Sequence, residues 1–138
     1  MVGKQIGKER LVLITSRLKN HPPTRRIQDL AGVQWILNPE GCAARAALRS
    51  TLLRANVDMV VAIEAYNYEL QLALVAQNRG LSLVPERILK RSRLRSRLRA
   101  LRVSGLDFPL TIWMVHRQPF VGLGRVIVEL GRVLAERL

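Results

Sequence analysis

Two short segments of this 138-residue sequence place polar side chains where helices are expected to begin. One segment contains Asn38, Pro39, Glu40, Gly41 and Cys42, and the other contains Glu64, Tyr66 and Asn67. The start of a helix offers unpaired backbone N–H groups and the positive end of a dipole, which suits a carboxylate or phosphate ligand. Gly41 would let such a ligand approach the backbone closely. Taken singly, the residues have simpler roles, since Asn38 and Asn67 could cap helices and Gly41 could form a turn.

A second candidate for chemistry is the basic stretch 90–102. Its basic residues are Lys90, Arg91, Arg93, Arg95, Arg97, Arg99 and Arg102. Contacts between such residues and phosphates would be strongly salt-dependent, because roughly one counterion is released per contact. The stretch has no aromatic residue on which unpaired bases could stack. Leu94, Leu98 and Leu101 would form one face of a helix, which permits binding to a membrane surface. A solvated helix and connection is the simplest interpretation, and we prefer it.

Residues suited to catalysis are few. His21 and His116 lie far apart in the sequence, and HExxH, GxSxG and glycine-rich phosphate-loop motifs do not occur. Cys42 could act as a nucleophile or a redox group, and Glu40 could face Glu64 across a crevice. A small residue at a helix start is the simpler explanation of Cys42. A single cysteine also excludes an intrachain disulfide and a thiol-rich metal site. We therefore expect no enzyme activity, no metal site and no cofactor.

The elements that would position these residues follow from hydrophobic periodicity. Apolar patterns predict strands at 11–15, 33–37, 58–64, 81–85 and 109–116, helices at 42–55, 67–79 and 121–138, and a helical turn at 27–31. Asn67 suits the N-cap of the second helix, and Gly80 suits the residue after its end. Alternating strands and helices predict an α/β fold with a mainly parallel sheet flanked by helices. In such a sheet, the two polar segments would follow strands and open onto one crevice.

Composition and charge limit the class of protein. The formal net charge of +13 predicts attraction to polyanions or small anions. With 49% hydrophobic but only 4% aromatic residues, we expect an aliphatic core in one domain or two small lobes. The N-terminus lacks the apolar stretch of a secretory signal, and no apolar stretch is long enough to span a bilayer. We therefore expect a cytoplasmic protein without a membrane partner.

Several pieces of the sequence, in this order, resemble the LysR-type transcription regulators. The pieces lie at 21–22, 29–30, 35–42, 74–76, 80–81, 83–85 and 109–116. They are similar to the family's HPL turn, its DL and WI passages, its LVAxGxGIxLLP stretch and its C-terminal strand, which an amphipathic helix follows. The sequence departs from the pattern at Gln77, Asn78 and Arg79, where small or apolar residues and a glycine are more usual.

The resemblance implies the family's effector-binding domain, a two-lobed α/β fold resembling type II periplasmic binding proteins. Residues 8–103 would form most of the second lobe, and residues 104–138 would give a crossover strand and a C-terminal helix to an incomplete first lobe. The rest of that lobe and the winged helix-turn-helix of the family would precede Met1. The sequence would then be a truncated regulator whose contact with DNA needs a domain absent from this chain. The implied function is effector sensing for transcription control, without catalysis.

The resemblance also favours a ligand site at the two polar segments, and we expect a small organic anion as the effector. The last helix has an apolar face formed by Leu123, Ile127, Leu130 and Leu134. This face predicts a homo-oligomer or a partner that supplies the missing first lobe. The alternative function is a basic nucleic-acid-binding protein that uses the 90–102 stretch. Thermal shifts with small acids would support the first function, and salt-sensitive retention of nonspecific DNA would support the second.

Overall fold

The computed structural model describes residues 1–18, 26–117 and 122–138. They fall into two compact units: a larger unit of Arg10–Phe108, and a smaller unit of Met1–Glu9 with Pro109–Leu138. The expected turn at 21–22 lies outside the described residues. The elements, in chain order, are β1 (Val2–Ser16), a 3-10 turn (Ile27–Leu30), β2 (Gln34–Leu37), α1 (Ala43–Arg54), β3 (Val60–Glu64), α2 (Tyr68–Ala76), β4 (Ser82–Pro85), α3 (Glu86–Arg91), a 3-10 turn (Arg95–Arg97), β5 (Leu98–Leu101), β6 (Phe108–His116) and α4 (Gly124–Arg137).

The strands and helices expected from periodicity are present, and the largest shift of an end is in β1. This strand begins at Val2, whereas the apolar run begins at residue 11. Residues 2–5 are exposed, and residues 13–16 are buried. A hydrophobic run reports only the buried part of a strand, so the exposed half of β1 gave no signal.

The strands of the larger unit form two sheets, β4-β1-β5 and β2-β3, which are linked by a parallel bridge between Trp35 and Leu81. β2 and β3 are parallel, with Gln34 opposite Val60 and Leu37 opposite Glu64. β1, however, pairs antiparallel with β4 on one side and with β5 on the other. The expected mainly parallel sheet is therefore correct for β2 and β3 and wrong for β1. The fully apolar run of β1 reflects burial between two neighbouring strands, and burial carries no information about direction.

An aliphatic core is shared by strands of both sheets and by α2. Its buried members are Ile14, Ile36, Ala65, Leu72, Val75, Ala76, Val84 and Leu98. The fully buried Gln71 side chain lies on the same helix. Its Oε1 accepts from the Ser82 hydroxyl at 2.8 Å, and its Nε2 donates to the Ala65 carbonyl at 3.2 Å. These bonds offset the cost of burying the amide and fix α2 against β4.

The end of α2 differs from the prediction, which placed Gly80 directly after the helix. The helix stops at Ala76, and Asn78 takes the left-handed conformation with φ of 60°. The Arg79 N–H then donates to the Leu74 carbonyl at 3.1 Å, which is the long bond of a Schellman ending. Gly80 serves a different purpose, because a Cβ there would lie 2.5 Å from the Gln34 carbonyl oxygen. The glycine permits the chain to pass close to β2 before β4 begins.

The basic stretch 90–102 does not form one helix. Only Lys90 and Arg91 belong to α3, and β5 takes up the stretch from Leu98. Leu98 is buried in the core cluster, and Leu94 packs against that cluster. The expected helix face of Leu94, Leu98 and Leu101 is therefore wrong, because part of the leucine pattern reflects a strand and a turn. The apolar helix face on which binding to a membrane surface would depend is therefore not formed.

In the smaller unit, β6 pairs with β1 and α4 packs on β6. Gly131 marks the contact, because a Cβ there would lie 2.8 Å from the Met114 Cε atom. Three members of the expected apolar face, Leu123, Leu130 and Leu134, are exposed. Val126 and Val128 are also exposed, by 59% and 61%. Among the described residues, no helix is both long and apolar enough to cross a membrane.

Candidate functional site

The pairing of β2 with β3 brings the two polar segments to one edge of the sheet. Leu37 lies opposite Glu64 in this parallel pair, and the Ala65 N–H donates to the Leu37 carbonyl at 2.9 Å. Asn38 and Tyr66 are the next residues along each chain segment. The segments 38–42 and 64–67 therefore leave the sheet side by side, as expected for the carboxyl ends of neighbouring parallel strands. We call this place the segment edge.

Arg45 binds both segments at this edge. Its side chain extends from the first turn of α1 and is only 7% exposed. Nη1 donates to the Asn38 carbonyl and to Glu64 Oε1, both at 2.9 Å, and Nη2 lies 2.9 Å from Glu40 Oε1. One guanidinium thus fixes the loop after β2 to the end of β3. The sequence alone does not point to Arg45, because two of its partners lie 7 and 19 residues away along the chain.

Arg49 completes the charge balance of the segment edge. Its guanidinium makes a two-pronged contact with Glu40, in which Nη1 lies 3.2 Å from Oε2 and Nη2 donates to Oε1. The hydrogen bond from Arg49 lowers the pKa of Glu40 from its usual value, and the charge of Arg45 adds to the shift. Two arginines therefore neutralise Glu40 and Glu64. The expected pair of carboxylates is brought into one cluster, where both are held as ion-pair partners.

The first helix start differs from the expectation for Asn38. The N-cap of α1 is Cys42, whose side chain makes no capping hydrogen bond, and Asn38 lies four residues earlier. Asn38 takes part through its backbone carbonyl, which accepts from Arg45. Gly41 has φ of 90°, and a Cβ there would meet nothing within 4 Å. Glycine is thus needed for the left-handed turn, and the space beside it is open.

The second helix start agrees with the expectation for Asn67. Its Oδ1 accepts from the Leu70 N–H at 2.8 Å, which is the capping bond of α2. Tyr66 precedes it with 84% of its surface exposed. Burial raises the pKa of the Tyr68 hydroxyl, and the neighbouring Cys42 thiol adds to this shift.

Four cavities of about 310 to 470 Å³ in the larger unit are lined by residues other than the eight predicted ones. Within the described part of the chain, no three His, Cys, Asp or Glu side chains come together as metal ligands. The chemistry that the edge offers is two helix starts above a neutralised ion cluster.

A family model for the LysR substrate binding domain matches residues 1–121. This chain belongs to that family. A LysR substrate-binding domain is part of a transcription regulator and is not an enzyme, so the histidines, Cys42 and the carboxylates need no catalytic role. Among curated proteins, no sequence matches the chain.

Several solved regulatory and effector-binding domains have the same fold as this chain. The regulatory domain of CcmR from Synechocystis PCC6803 in complex with 2-PG has a TM-score of 0.79 and 18% identity, over 99% of this chain and 68% of that one. The effector binding domain of QuiR in complex with shikimate has a TM-score of 0.72 and 15% identity, over 99% of this chain and 66% of that one. The OxyR2 E204G regulatory domain from Vibrio vulnificus has a TM-score of 0.80 and 17% identity, over 100% of this chain and 67% of that one.

These likenesses give this LysR substrate-binding domain the α/β fold of type II periplasmic binding proteins. The chain spans about two thirds of the length of the three structures. The expectations of fold class, family and regulatory class are therefore confirmed.

Proposed function

We propose that this LysR substrate-binding domain binds a small organic anion at the segment edge and passes the binding event to transcription control. The observation that carries the proposal is the attachment of both segments to the single buried side chain of Arg45. Because one guanidinium holds both segments, a ligand that contacts one of them is coupled mechanically to the other. The ligand contacts would come from the segment residues Asn38, Pro39, Glu40, Gly41, Cys42, Glu64, Tyr66 and Asn67.

The charge of the edge suits an anion. Arg45 and Arg49 neutralise the carboxylates of Glu40 and Glu64, so that these side chains would not repel a bound carboxylate. Two helix starts, at Cys42 and Asn67, then supply the positive ends of helix dipoles and backbone N–H donors. The open space at Gly41 leaves room for the ligand to approach the first turn of α1.

We further propose the family's two-lobed arrangement for the whole regulator. Residues 8–103 would be most of the second lobe, and residues 104–138 would belong to the first. A remaining part of the first lobe, or a second copy of the chain, would cover the exposed side chains of α4, such as Val126 and Val128. Control of transcription places such a regulator in the cytoplasm, with access to DNA through a further domain.

A pair of substitutions at Asn67 tests the site without removing the cap of α2. Asp and Ser both cap helices about as well as Asn, so Asn67→Asp and Asn67→Ser should fold with parent-like stability. Asp adds a negative charge at the proposed anion site, whereas Ser does not. Thermal unfolding of the 138-residue chain would be followed with a panel of small organic acids, with 2-PG and shikimate as the first probes.

An acid that binds the folded chain at 100 times its Kd should stabilise the parent and Asn67→Ser by about 2.7 kcal/mol. Asn67→Asp should bind that acid at least about tenfold more weakly, because like charges a few ångströms apart repel. Equal binding of the acid by all three proteins would exclude the segment edge. A panel of acids that stabilises none of them would contradict the anionic effector.

A further inference from the structure

A separate part of the larger unit carries six cations, of which one has an acidic partner. Two adjoining open hollows, of about 470 and 370 Å³, share Arg95 and Ser96 in their walls. Between them they are lined by the cations Arg17, Lys90, Arg91, Arg93, Arg95 and Arg99. We call these six residues the basic patch. No described Asp or Glu lines either hollow, so the positive charge accumulates along both.

The local structure explains how the basic patch forms. The Ser92 hydroxyl accepts from the Leu94 N–H at 3.0 Å, and the Arg95 N–H donates to the Ser92 carbonyl at 3.3 Å. This tight turn, which follows the end of α3, buries Ser92 and leaves Arg93 and Arg95 exposed. The partly buried Leu94 packs against the core cluster between them. Alternation of arginine with leucine or serine in the sequence thus becomes a surface with cations outside and apolar anchors inside.

The charges of the basic patch are only slightly compensated within the chain. Lys90 pairs with Glu86 at 3.2 Å, and Arg17 Nε donates to the Leu98 carbonyl at 2.8 Å. No residue in the described ranges 1–18, 26–117 and 122–138 forms an ion pair with Arg91, Arg93 or Arg95. The segments 19–25 and 118–121 contain no acidic residue, so they bring no carboxylate that could neutralise these arginines.

We propose that the basic patch is a docking surface for the phosphate backbone of duplex DNA. An open surface with several cations fits an extended polyanion, because each arginine can take a separate phosphate, and the guanidinium fork matches phosphate oxygens. No aromatic side chain of the described residues lines the hollows, so stacking on unpaired bases is missing and a duplex is favoured over a single strand. Leu98 is buried, which removes the apolar contact that a membrane surface would need.

This docking would be independent of sequence and of the segment edge. Contacts with phosphates position a protein on DNA without reading bases. In a transcription regulator, such contacts would hold the sensing domain against DNA and oppose any rearrangement that lifts it away. The proposal rests on the family membership of the chain, and it holds whether or not an anion binds at the segment edge.

The test compares two triple variants with the same change of charge. The patch variant carries Arg91→Ala, Arg93→Ala and Arg95→Ala, and the control carries Lys4→Ala, Arg79→Ala and Arg125→Ala, which are exposed cations outside the basic patch. Binding of the 138-residue chain to a labelled duplex of arbitrary sequence would be measured by anisotropy between ~50 and ~200 mM salt. The same strand in single-stranded form and vesicles of anionic phospholipid are the competing probes.

For the parent, six phosphate contacts predict a slope of log K against log salt of about −5. The patch variant should bind at least about tenfold more weakly at the same salt, with the slope reduced in magnitude by about 3. The control should keep the parent slope. Equal losses in both variants would show general charge attraction and overturn the proposal. Tighter binding to the single strand or to the vesicles than to the duplex would also overturn it.

Discussion

Two groups of arginines in the larger unit are used in opposite ways. At the segment edge, Arg45 is nearly buried and its guanidinium is shared among a backbone carbonyl and two carboxylates. In the basic patch, Arg91, Arg93 and Arg95 are exposed, and the described residues give them no carboxylate partner. The same residue type therefore holds the chain together in one place and offers uncompensated charge in the other.

The difference shows which arginines can be removed without loss of the fold. A buried guanidinium with three partners leaves those partners unpaired when it is deleted, and the fold bears the cost. An exposed guanidinium among like charges leaves nothing unpaired, so its removal affects binding instead. Substitutions that separate stability from binding can therefore break or sharpen the comparison.

The largest effect is expected for Arg45→Met. Met keeps the apolar stem within α1 but removes the guanidinium from Asn38, Glu40 and Glu64, so that the loop after β2 is released. We expect the free energy of unfolding to fall by about 2–3 kcal/mol, as measured by urea denaturation. Arg49→Met is the matched control on the same helix. It should cost less, because Arg49 and its partner Glu40 are both exposed. An equal loss in both variants would contradict a special role for the buried arginine.

A smaller effect, present at neutral pH and lost in acid, is expected for Glu40→Gln. The pKa of Glu40 is lowered in the folded chain, so its ion pairs contribute stability above its usual value of 4.5. That contribution disappears as the pH falls through the lowered pKa. The parent should therefore be more stable than Glu40→Gln at neutral pH, and the two should converge in acid. Urea midpoints at both pH values check this, and a difference that persists unchanged in acid would be the contrary result.

The smallest effect on stability is expected for Arg93→Ala. Removing one of several like charges relieves repulsion, so we expect a change within about 0.5 kcal/mol, with the variant favoured at low salt. The gain should vanish as salt rises above ~0.15 M, where exposed charges are screened. Urea denaturation at two salt concentrations measures the change. A clear loss of stability would show that Arg93 has a structural partner, and the contrast with Arg45 would then fail.

Local chemistry in the sequence was sufficient for some of these features. The cap at Asn67 was predicted because a capping bond joins residues three positions apart. The two helix starts were placed at one edge because β2 and β3 each precede a helix, and the family resemblance supplied the same arrangement. The elements 33–37, 42–55 and 67–79 were found from periodicity, with ends shifted by a few residues.

Features that depend on distant partners were missed. Arg45 was not among the predicted site residues, because nothing in the sequence shows that Glu64 approaches it. The predicted parallel direction of β1 was wrong, because the hydrophobic pattern of an apolar run is the same in both strand directions. The leucines of the 90–102 stretch fitted a helix as well as they fit the actual turn and strand, and only the core cluster decides that Leu98 is buried.

The enclosed amide of Gln71 has an evolutionary consequence. Its oxygen and nitrogen are both used by neighbours that water does not reach, namely Ser82 and the Ala65 carbonyl. A mutation of Gln71 or Ser82 alone leaves the other side chain with an unpaired polar atom inside the protein, whereas a joint exchange to two apolar residues removes both polar side chains and leaves only the Ala65 carbonyl without its donor. Positions 71 and 82 should therefore covary among descendants of this sequence, changing together or remaining as they are.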